Sequence, residues 1–340
     1  MAVYTGNPRF SATLLPGDVV GSLTPVNAVE PSLKPLFDTV FPGFPVLYSA
    51  PQGDLPLDHL LLSEFSAQSQ YDQLIELVRS GVELPDRLAC LSGSGLDFRG
   101  FKGRSWVAVP GNIHLAVHFA PARALVRFGP AFSALATLSV VDALDEIPGL
   151  EGRSSITWIN DILVDGAKIA GSLEFTQSQD STVSCAVLGI GLNVEVAPRV
   201  PRSPAVPRVG SVREFLPGGD GAPRLQARIL GGLLRALESN YNTLLTDGAA
   251  PLVDRYRDRS SVVGEDVIVC TESSDQAPAT LARGRVVGLG ENLELFLDSR
   301  SAAITGGRLI MATGEDEIQS WASDGPCGTV AHSFSEGSPL

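Results

Sequence analysis

The sequence predicts an α+β fold, a mixed β-sheet packed with helices and followed by a small all-β module, and three observations carry that expectation. Strand-like and helix-like stretches mix between residues 57 and 258 without the regular alternation that builds a doubly wound sheet. Beyond Ser260 only short strand-like runs remain, VIVC, ARGRVVGL, LELFL and RLIM, separated by Gly, Asn and Asp turns. Isolated short strands leave open edges, so a small closed barrel is the economical arrangement for them. The length, 340 residues, exceeds a single ordinary domain of about 100 to 150 residues, so one large domain with appended modules is expected.

Residues 1–56 are rich in Pro and Gly, and their apolar residues Leu14, Val19, Phe37, Phe41 and Phe44 follow no sustained period, which marks an N-terminal extension. The main domain, 57–258, opens on the apolar run Leu60–Leu62. In YDQLIELVRSG, Leu74, Leu77 and Val78 share one helical face and Gly81 supplies the stop. A strand near Leu88–Leu91 leads into the loop SGSGLDFRGFKGRSW. GNIHLAVHF then alternates as a strand does, with Ile113, Leu115, Val117 and Phe119 on one face. His114 and His118 share the other face, where a solvent or core-edge position is expected and the further ligands zinc needs are lacking. Pro130–Ile147 has the proline-opened start of a helix that turns Leu135, Leu138 and Val141 inward. Asp165-Gly166 between apolar runs is a two-residue hairpin signal, and CAVLGIGLNVEV is too apolar for an exposed edge strand. After the proline-rich basic loop Ala197–Val209, a helix from Pro223 spaces Leu225, Ile229, Leu233, Leu237 and Tyr241 four residues apart. The all-β module occupies 259–314, and the Gly- and Ser-rich residues 315–340 have the composition of a disordered tail.

Composition narrows the function. With 25 Lys and Arg against 38 Asp and Glu the net charge is −13, and such a chain repels nucleic acid and anionic membranes unless it concentrates basic residues in one patch. The nearest candidate, Phe98–Arg104, is too short for a duplex track and is sized for one anionic group. Residues 1–56 are too proline-rich for a winged helix, so no nucleic-acid partner is expected. Cys90, Cys185, Cys270 and Cys327 are widely spaced, with no Cys-x-x-Cys pair for zinc or redox chemistry and no disulfide framework. Cys185 has the apolar context of a buried, inert thiol. No basic start runs into a long apolar stretch and no uncharged apolar run reaches about 18 residues, so neither secretion nor a membrane partner is expected and the location is cytoplasmic.

Three segments carry chemistry. Arg99, Gly100, Phe101, Lys102, Gly103, Arg104, Ser105 and Trp106 form a basic, glycine-bearing loop. Glycines let backbone amides come close to a phosphate, and arginine forks bind its oxygens in pairs. Taken alone, the loop reads first as an ordinary basic surface turn, since Gly-rich basic loops are common. In WINDILVDGAKIAG, from Trp158 to Gly171, Asn160 and Asp161 offer hard oxygen ligands suited to magnesium, and the Asp165-Gly166 turn fixes Lys168 at the start of the returning strand, where its ammonium can be aimed. Isolated, Lys168 is a solvated hairpin lysine and Asp161 a turn acid; their joint occurrence is what points to a site. In VLGIGLNV, from Val187 to Val194, Gly189 and Gly191 weaken a strand unless something must approach its backbone, a flat ligand ring or a packing partner. Asn193 follows with an amide able to meet a polar edge.

In order and spacing these segments resemble the biotin protein ligase family, within the biotin and lipoate ligase superfamily, over residues 60 to about 312. The first is similar to the family's glycine- and arginine-rich loop that closes over an acyl-adenylate, the second to its Trp-Pro-Asn-Asp strand, hairpin and lysine, the third to its Gly-Ile-Gly-Ile-Asn strand. Gly210–Leu216 resembles the segment after the family's nucleotide loop, and the terminal module its SH3-like β-barrel. The resemblance implies an ATP-dependent enzyme that forms biotinyl-AMP and transfers biotin to a lysine of a biotin carboxyl carrier protein or domain. It implies Lys168 as the catalytic residue bridging substrate carboxylate and α-phosphate, with Asn160 and Asp161 as magnesium ligands. Substrate and adenylate contacts would come from Ser66, Ala67, Gln68, Arg99, Gly100, Lys102, Gly103, Arg104, Trp106, Gly171, Gly189, Gly191 and Asn193. ATP, magnesium and biotin are the implied small molecules, and a homodimer is admitted.

The chain departs from the family pattern where acid and adenylate are held. Ser66-Ala67-Gln68 stands for the family's Ser-Thr-Asn, and the loop lacks one arginine and one glycine, with Phe98 and Phe101 in their place. The family's glutamine before the loop falls near Gly95, Thr157 replaces a lysine and Ile159 a proline. These changes predict an altered acid or a reduced rate before a lost fold. Two alternatives follow: a lipoate- or octanoate-type ligase or acyltransferase of the same superfamily, and a non-catalytic relative that only binds ligand. Retention of Lys168 with Asn160 and Asp161 weighs against the second.

Overall fold

The computed structural model describes residues 1–15, 17–27, 31–50, 56–121, 123–125, 128–179, 182–206, 208–216, 224–271 and 279–311. The tail expected at 315–340, with Cys327, lies outside these residues, as does Pro223, the expected start of the long helix.

The first fifty residues, which show no period in sequence, are woven into the main sheet. They supply β1 (Ala2–Thr5), α1 (Pro8–Leu14), α2 (Gly17–Gly21), β2 (Thr24–Pro25), α3 (Lys34–Val40) and β3 (Leu47–Ser49). Asn7 caps α1, its side chain accepting from the Arg9 and Phe10 amides. β1 pairs antiparallel with β3 and parallel with β4 (His59–Ser63). It leaves no alternation because both faces are covered: Val3 enters one apolar cluster, Ala2 and Tyr4 the other.

The chain continues through β5 (Ser66–Gln68), α4 (Gln70–Arg79), β6 (Leu88–Ser92), β7 (Gly95–Asp97), β8 (Ile113–Phe119), β9 (Arg123–Ala124) and α5 (Phe128–Asp145). A four-stranded antiparallel meander follows, built from β10 (Ser154–Thr157), β11 (Asp161–Val164), β12 (Ala167–Gln179) and β13 (Thr182–Leu192). The main sheet runs β10-β11-β12-β13-β8-β6-β4-β1-β3-β2, with β9 also on β13. Its pairings are parallel only where β4 meets β1 and β6. This is the mixed sheet the sequence predicts.

Side-chain alternation divides the core between the two faces. Leu60 and Leu62 enter the first cluster and Leu61 the second, while β8 sends Ile113, Leu115, Val117 and Phe119 to the first. On that face pack α5, α6 (Leu225–Asp247) and α7 (Ala250–Asp258), and α6 buries Leu225, Ile229, Leu233, Leu237 and Tyr241 as its spacing requires. On the second face lie α3 and α4. Ser69 caps α4, Leu74 is buried beneath it, and Gly81 ends it at φ +84° with the Val82 amide donating to the Leu77 carbonyl. His114 and His118, expected at an edge, are instead 4% and 2% exposed. β8 is an interior strand with both faces covered, so its polar-looking face is core as well.

β14 (Asp266–Cys270), β15 (Thr280–Leu289), β16 (Leu295–Leu297) and β17 (Arg308–Met311) form a second, antiparallel sheet in the order β16-β15-β14-β17. The Trp158 indole donates to the Leu293 carbonyl at 2.6 Å, tying this sheet to the main body. Among the described residues no helix is long and apolar enough to cross a membrane.

Candidate active site

Where β13 carries Gly189 and Gly191, the α4 side of the sheet opens into a cavity of about 240 Å³. Its wall gathers the loop from Phe98 to Val107, the β11–β12 hairpin and β13. The middle of β8, the first turn of α4, a proline-rich strap carrying Pro198, Ser203 and Val206, and Arg308 from the second sheet also line it.

The hairpin fixes Lys168. Asp165 and Gly166 both have positive φ, 47° and 78°, the combination of a type I′ turn that matches strand twist. Leu163 faces Lys168 and Ile162 faces Ala170, so Ile169 is a β-bulge, a device that re-aims the side chain beside it. On its other edge the Lys168 amide donates to the Arg208 carbonyl at 2.9 Å and its carbonyl accepts from the Gly210 amide at 3.0 Å. The ammonium lies 2.6 Å from Asp161 Oδ1, and the two side chains are 17% and 19% exposed. It also lies 6.0 Å from the centre of the Trp106 ring. Gly171 faces Asp161 across the hairpin, and a methyl there would already touch Asp161 Oδ1 at 3.4 Å and Lys168 Nζ at 3.6 Å.

The glycines of β13 lie against the protein's own rings, and at Gly191 no side chain fits without moving one. A Cβ at Gly191 would lie 2.3 Å from the Trp106 ring, and one at Gly189 would lie 3.0 Å from Tyr71. Of the two readings of these glycines, close approach by a packing partner therefore holds at both. Trp106 Nε1 donates to His114 Nδ1 at 3.3 Å, and His114 Nε2 is 3.3 Å from the Val109 carbonyl. Burial lowers the His114 imidazole to about 4, so at neutral pH it is uncharged and free to accept from Trp106.

Asn160 is buried and its amide donates to the Ser172 carbonyl at 2.6 Å. Among the described residues no group of three or more His, Cys, Asp or Glu could hold a metal ion. Asp161 is thus a single hard ligand next to an amide, a donor set that suits magnesium arriving on phosphates rather than a cage built by the protein.

Arg99, Gly100, Arg104, Trp106, Gly171, Gly189, Gly191 and Asn193 line the cavity together with Asn160, Asp161 and Lys168. Asn193 is a framing residue: its amide donates to the Gly210 carbonyl at 3.1 Å and its Oδ1 accepts from Asn112 at 3.4 Å. Lys102 and Gly103 stay off the wall, on a single 3-10 turn, Phe101–Gly103, with positive φ of 57° and 75°. Ser66, Ala67 and Gln68 also stay off it. They form β5, which pairs with β7; Ser66 Oγ accepts from Ser92 at 2.8 Å and the Gln68 amide donates to Glu76 at 3.2 Å.

Ser69, Gln70 and Tyr71, one turn further on, face the cavity instead. Gln70 is 2% exposed, and neither of its amide atoms finds a partner among the described residues. The signal for this shift was present in sequence, since Ser69 is the natural cap of the helix that follows. Phe98, expected among the changes that bear on acid and adenylate, is a wall residue; its ring fills the space beside Gly95, where a Cβ would lie 2.1 Å from it. For Arg308 no local signal existed.

Residues 98–193 match the model of the Biotin/lipoate A/B protein ligase family. A biotin–acetyl-CoA-carboxylase ligase of Paracoccus denitrificans is 30% identical over 200 residues, which cover 55% of this chain and 80% of that protein. The chain belongs to the biotin protein ligase family. A ligase of the same name from Mycobacterium tuberculosis is 29% identical over 280 residues, 77% of this chain and 96% of that protein. Among solved structures, a biotin protein ligase from Aquifex aeolicus in complex with biotin and ATP aligns with a TM-score of 0.55 at 20% identity, covering 74% of this chain and 97% of that one. The likeness shows the family's mixed α+β fold in the present chain.

Proposed function

We propose that this chain is an ATP-dependent biotin protein ligase that joins the biotin carboxylate to AMP, releases pyrophosphate, and passes biotin to a lysine of a biotin carboxyl carrier protein or domain. The observation that carries this reading is Lys168, a largely buried ammonium held 2.6 Å from Asp161 in the wall of a closed-in cavity. A carboxylate and an α-phosphate repel each other, and the transition state between them gathers further negative charge. A fixed cation lowers that barrier, and an incoming anion would compete with Asp161 for it. Arg99 and Arg104 from the loop, and the Gly100 backbone, are placed to hold phosphate oxygens and to keep water from the adenylate. Trp106, braced by neutral His114, keeps the floor flat beneath the reacting groups. Asp161 and the Asn160 side chain would hold magnesium, which supplies charge neutralisation on the phosphates.

Gln70 favours biotin over lipoate or octanoate. Its buried amide has a free donor and a free acceptor, and the ureido ring of biotin offers the complement of both. A dithiolane or an alkyl chain would leave the amide unpaired, at a cost of about 1–3 kcal/mol. The same proposal includes a catalytic domain at 57–258, an SH3-like barrel at 259–314, a cytoplasmic location, a homodimer and, from the charge of −13, no nucleic-acid partner. To test it, the protein is incubated with magnesium-ATP and biotin, lipoate or octanoate while pyrophosphate release is followed. Biotin-dependent release that vanishes in Lys168→Ala is expected. Silence with every acid, or unchanged turnover in the variant, would overturn it.

A further inference from the structure

We infer that Tyr256 is a positioning residue for the acid-activating step: by holding the Ile159 carbonyl, its hydroxyl fixes the turn from which Asp161 meets Lys168. For the reaction the inference rests on the ligase reading above; the restraint on the turn stands on its own bonds.

β10 ends at Thr157 and β11 begins at Asp161, so only Trp158, Ile159 and Asn160 connect them. These three include no Gly or Pro, and Ile159 stands where the family pattern has a proline. Asn160, the one residue suited to setting a turn from its own side chain, is engaged elsewhere, donating to the Ser172 carbonyl at 2.6 Å. The turn is instead held from outside, at each residue in succession. The Trp158 indole donates to the Leu293 carbonyl at 2.6 Å, the Ile159 carbonyl accepts from the Tyr256 hydroxyl at 2.8 Å, and the Asn160 carbonyl accepts from the Ser172 amide at 3.0 Å. Just upstream, the Ile156 amide donates to the Arg259 carbonyl at 2.8 Å, beyond the end of α7. Just downstream comes Asp161, whose carboxylate holds the Lys168 ammonium at 2.6 Å.

Tyr256 is fully buried among apolar neighbours, where a phenylalanine would pack as well without a hydroxyl to satisfy. Burial first, and the charges of Asp161 and Glu174 next, push the pKa of that hydroxyl above its ordinary value, so it stays protonated and donates. α7 gives it a firm base, since Arg255 pairs with Asp142 of α5 and Arg259 with Asp145. Tyr256, Trp158 and Ile159 all stay off the cavity wall, so the hydroxyl reaches the chemistry only through the backbone between Ile159 and Asp161. Without this donor the turn is free to shift, and a displacement of about 1 Å at a reacting group can cost about a hundredfold in rate.

The test uses the full chain with magnesium-ATP and biotin. Tyr256→Phe removes the hydroxyl and keeps the ring. Tyr241→Phe is the matched control, another fully buried phenol, whose hydroxyl donates to Asp86 at 3.2 Å away from the cavity wall. The rate and amplitude of single-turnover biotinyl-AMP formation, the KM values for biotin and ATP, and hydrogen exchange of the amides from Trp158 to Asp161 are measured. Tyr256→Phe is expected to slow adenylate formation about tenfold at full amplitude, to leave both KM values within about twofold, and to speed exchange in the turn. Tyr241→Phe should keep the wild-type rate and turn exchange, although both variants lower the melting midpoint by a few degrees. A wild-type rate in Tyr256→Phe would overturn the proposal. Equal slowing in Tyr241→Phe, or reduced amplitude at an unchanged rate, would overturn it too, since either marks only a loss of folded protein. A wild type that activates no acid, while Tyr256→Phe alone loosens the turn, would sink the ligase reading. An active wild type indifferent to Tyr256→Phe would sink this inference alone.

Discussion

The hairpin that carries Lys168 and the loop that carries Arg99 and Arg104 face one cavity, and they are built in opposite ways. Around Lys168 the backbone is paired on both edges, the turn is a two-residue type I′, and the ammonium is anchored to Asp161. The loop holds itself by a few internal bonds, Gly100 to the Arg104 carbonyl at 2.6 Å and Arg104 Nε to the Phe101 carbonyl at 3.0 Å, and Arg99, Lys102, Gly103 and Arg104 are exposed. A group that must meet developing charge gains from being fixed beforehand, because no reorganisation is then needed during reaction. A group that must admit and then enclose a ligand gains from a segment with little buried surface, which can close at small cost. Under the proposed function, the division would give transition-state stabilisation to the hairpin and retention of the intermediate to the loop.

The largest effect expected from that division is on rate. Lys168→Ala should lower biotin-dependent pyrophosphate release about a thousandfold, the scale on which a preorganised charge acts, with KM for biotin little changed. Its melting midpoint should stay within a few degrees of wild type, since the hairpin is held by backbone pairing. A loss of only tenfold would remove the hairpin from the chemistry. The next effect is on stability. His114 titrates near 4 in the fold and near 6.5 unfolded, so between those values the unfolded chain binds the extra proton. Stability is then intact above pH 6.5 and falls toward pH 4, by up to about 3 kcal/mol, with His118 shifted in the same direction by burial. Urea midpoints at pH 7 and pH 4.5 check this; a His114→Gln variant with the same acid loss would show that the Trp106 brace is not the sensitive element.

Why the hairpin was legible and the rest of the wall was not follows from the same contrast. Asp165-Gly166, Lys168 and Asn160-Asp161 act through local geometry, a turn type and a strand register, and such geometry is written in adjacent residues. The part of the wall that carries Gln70 depends on where a helix starts. The choice between Ser66-Ala67-Gln68 and Ser69-Gln70-Tyr71 is settled by the cap at Ser69 and by β5 pairing with β7, a long-range event. β1 was invisible because four residues buried on both faces carry no period. Arg308 was invisible because its meaning depends on how one sheet meets another. Gly191 lies between these cases: the sequence showed that something must approach its backbone, and only the packed structure shows that it is Trp106.

That approach gives the third prediction. Gly191→Ala places a methyl 2.3 Å from the present Trp106 ring position, so the indole must move. The cost should be about 1–3 kcal/mol of stability, with loss of the Trp106 hydrogen bond to His114, visible as a shift in tryptophan emission. Unaltered emission would mean that the floor is pliable, and the contrast between a fixed wall and a loosely held loop would weaken.

The smallest effect is the one that separates the two regions most cleanly. Arg104 is exposed, and among the described residues its side chain's only hydrogen bond is to its own loop, so Arg104→Ala should change stability by less than about 0.5 kcal/mol. If the loop retains the intermediate, the variant forms biotinyl-AMP at close to the wild-type rate under saturating ATP but releases it about tenfold faster, the consequence of losing roughly one charge-assisted contact. Single-turnover adenylate formation and the half-life of protein-bound biotinyl-AMP measure the two quantities separately. A variant that forms the adenylate a thousandfold more slowly would place Arg104 with Lys168 in the chemical step, and the loop would then have to be as ordered in the transition state as the hairpin is at rest.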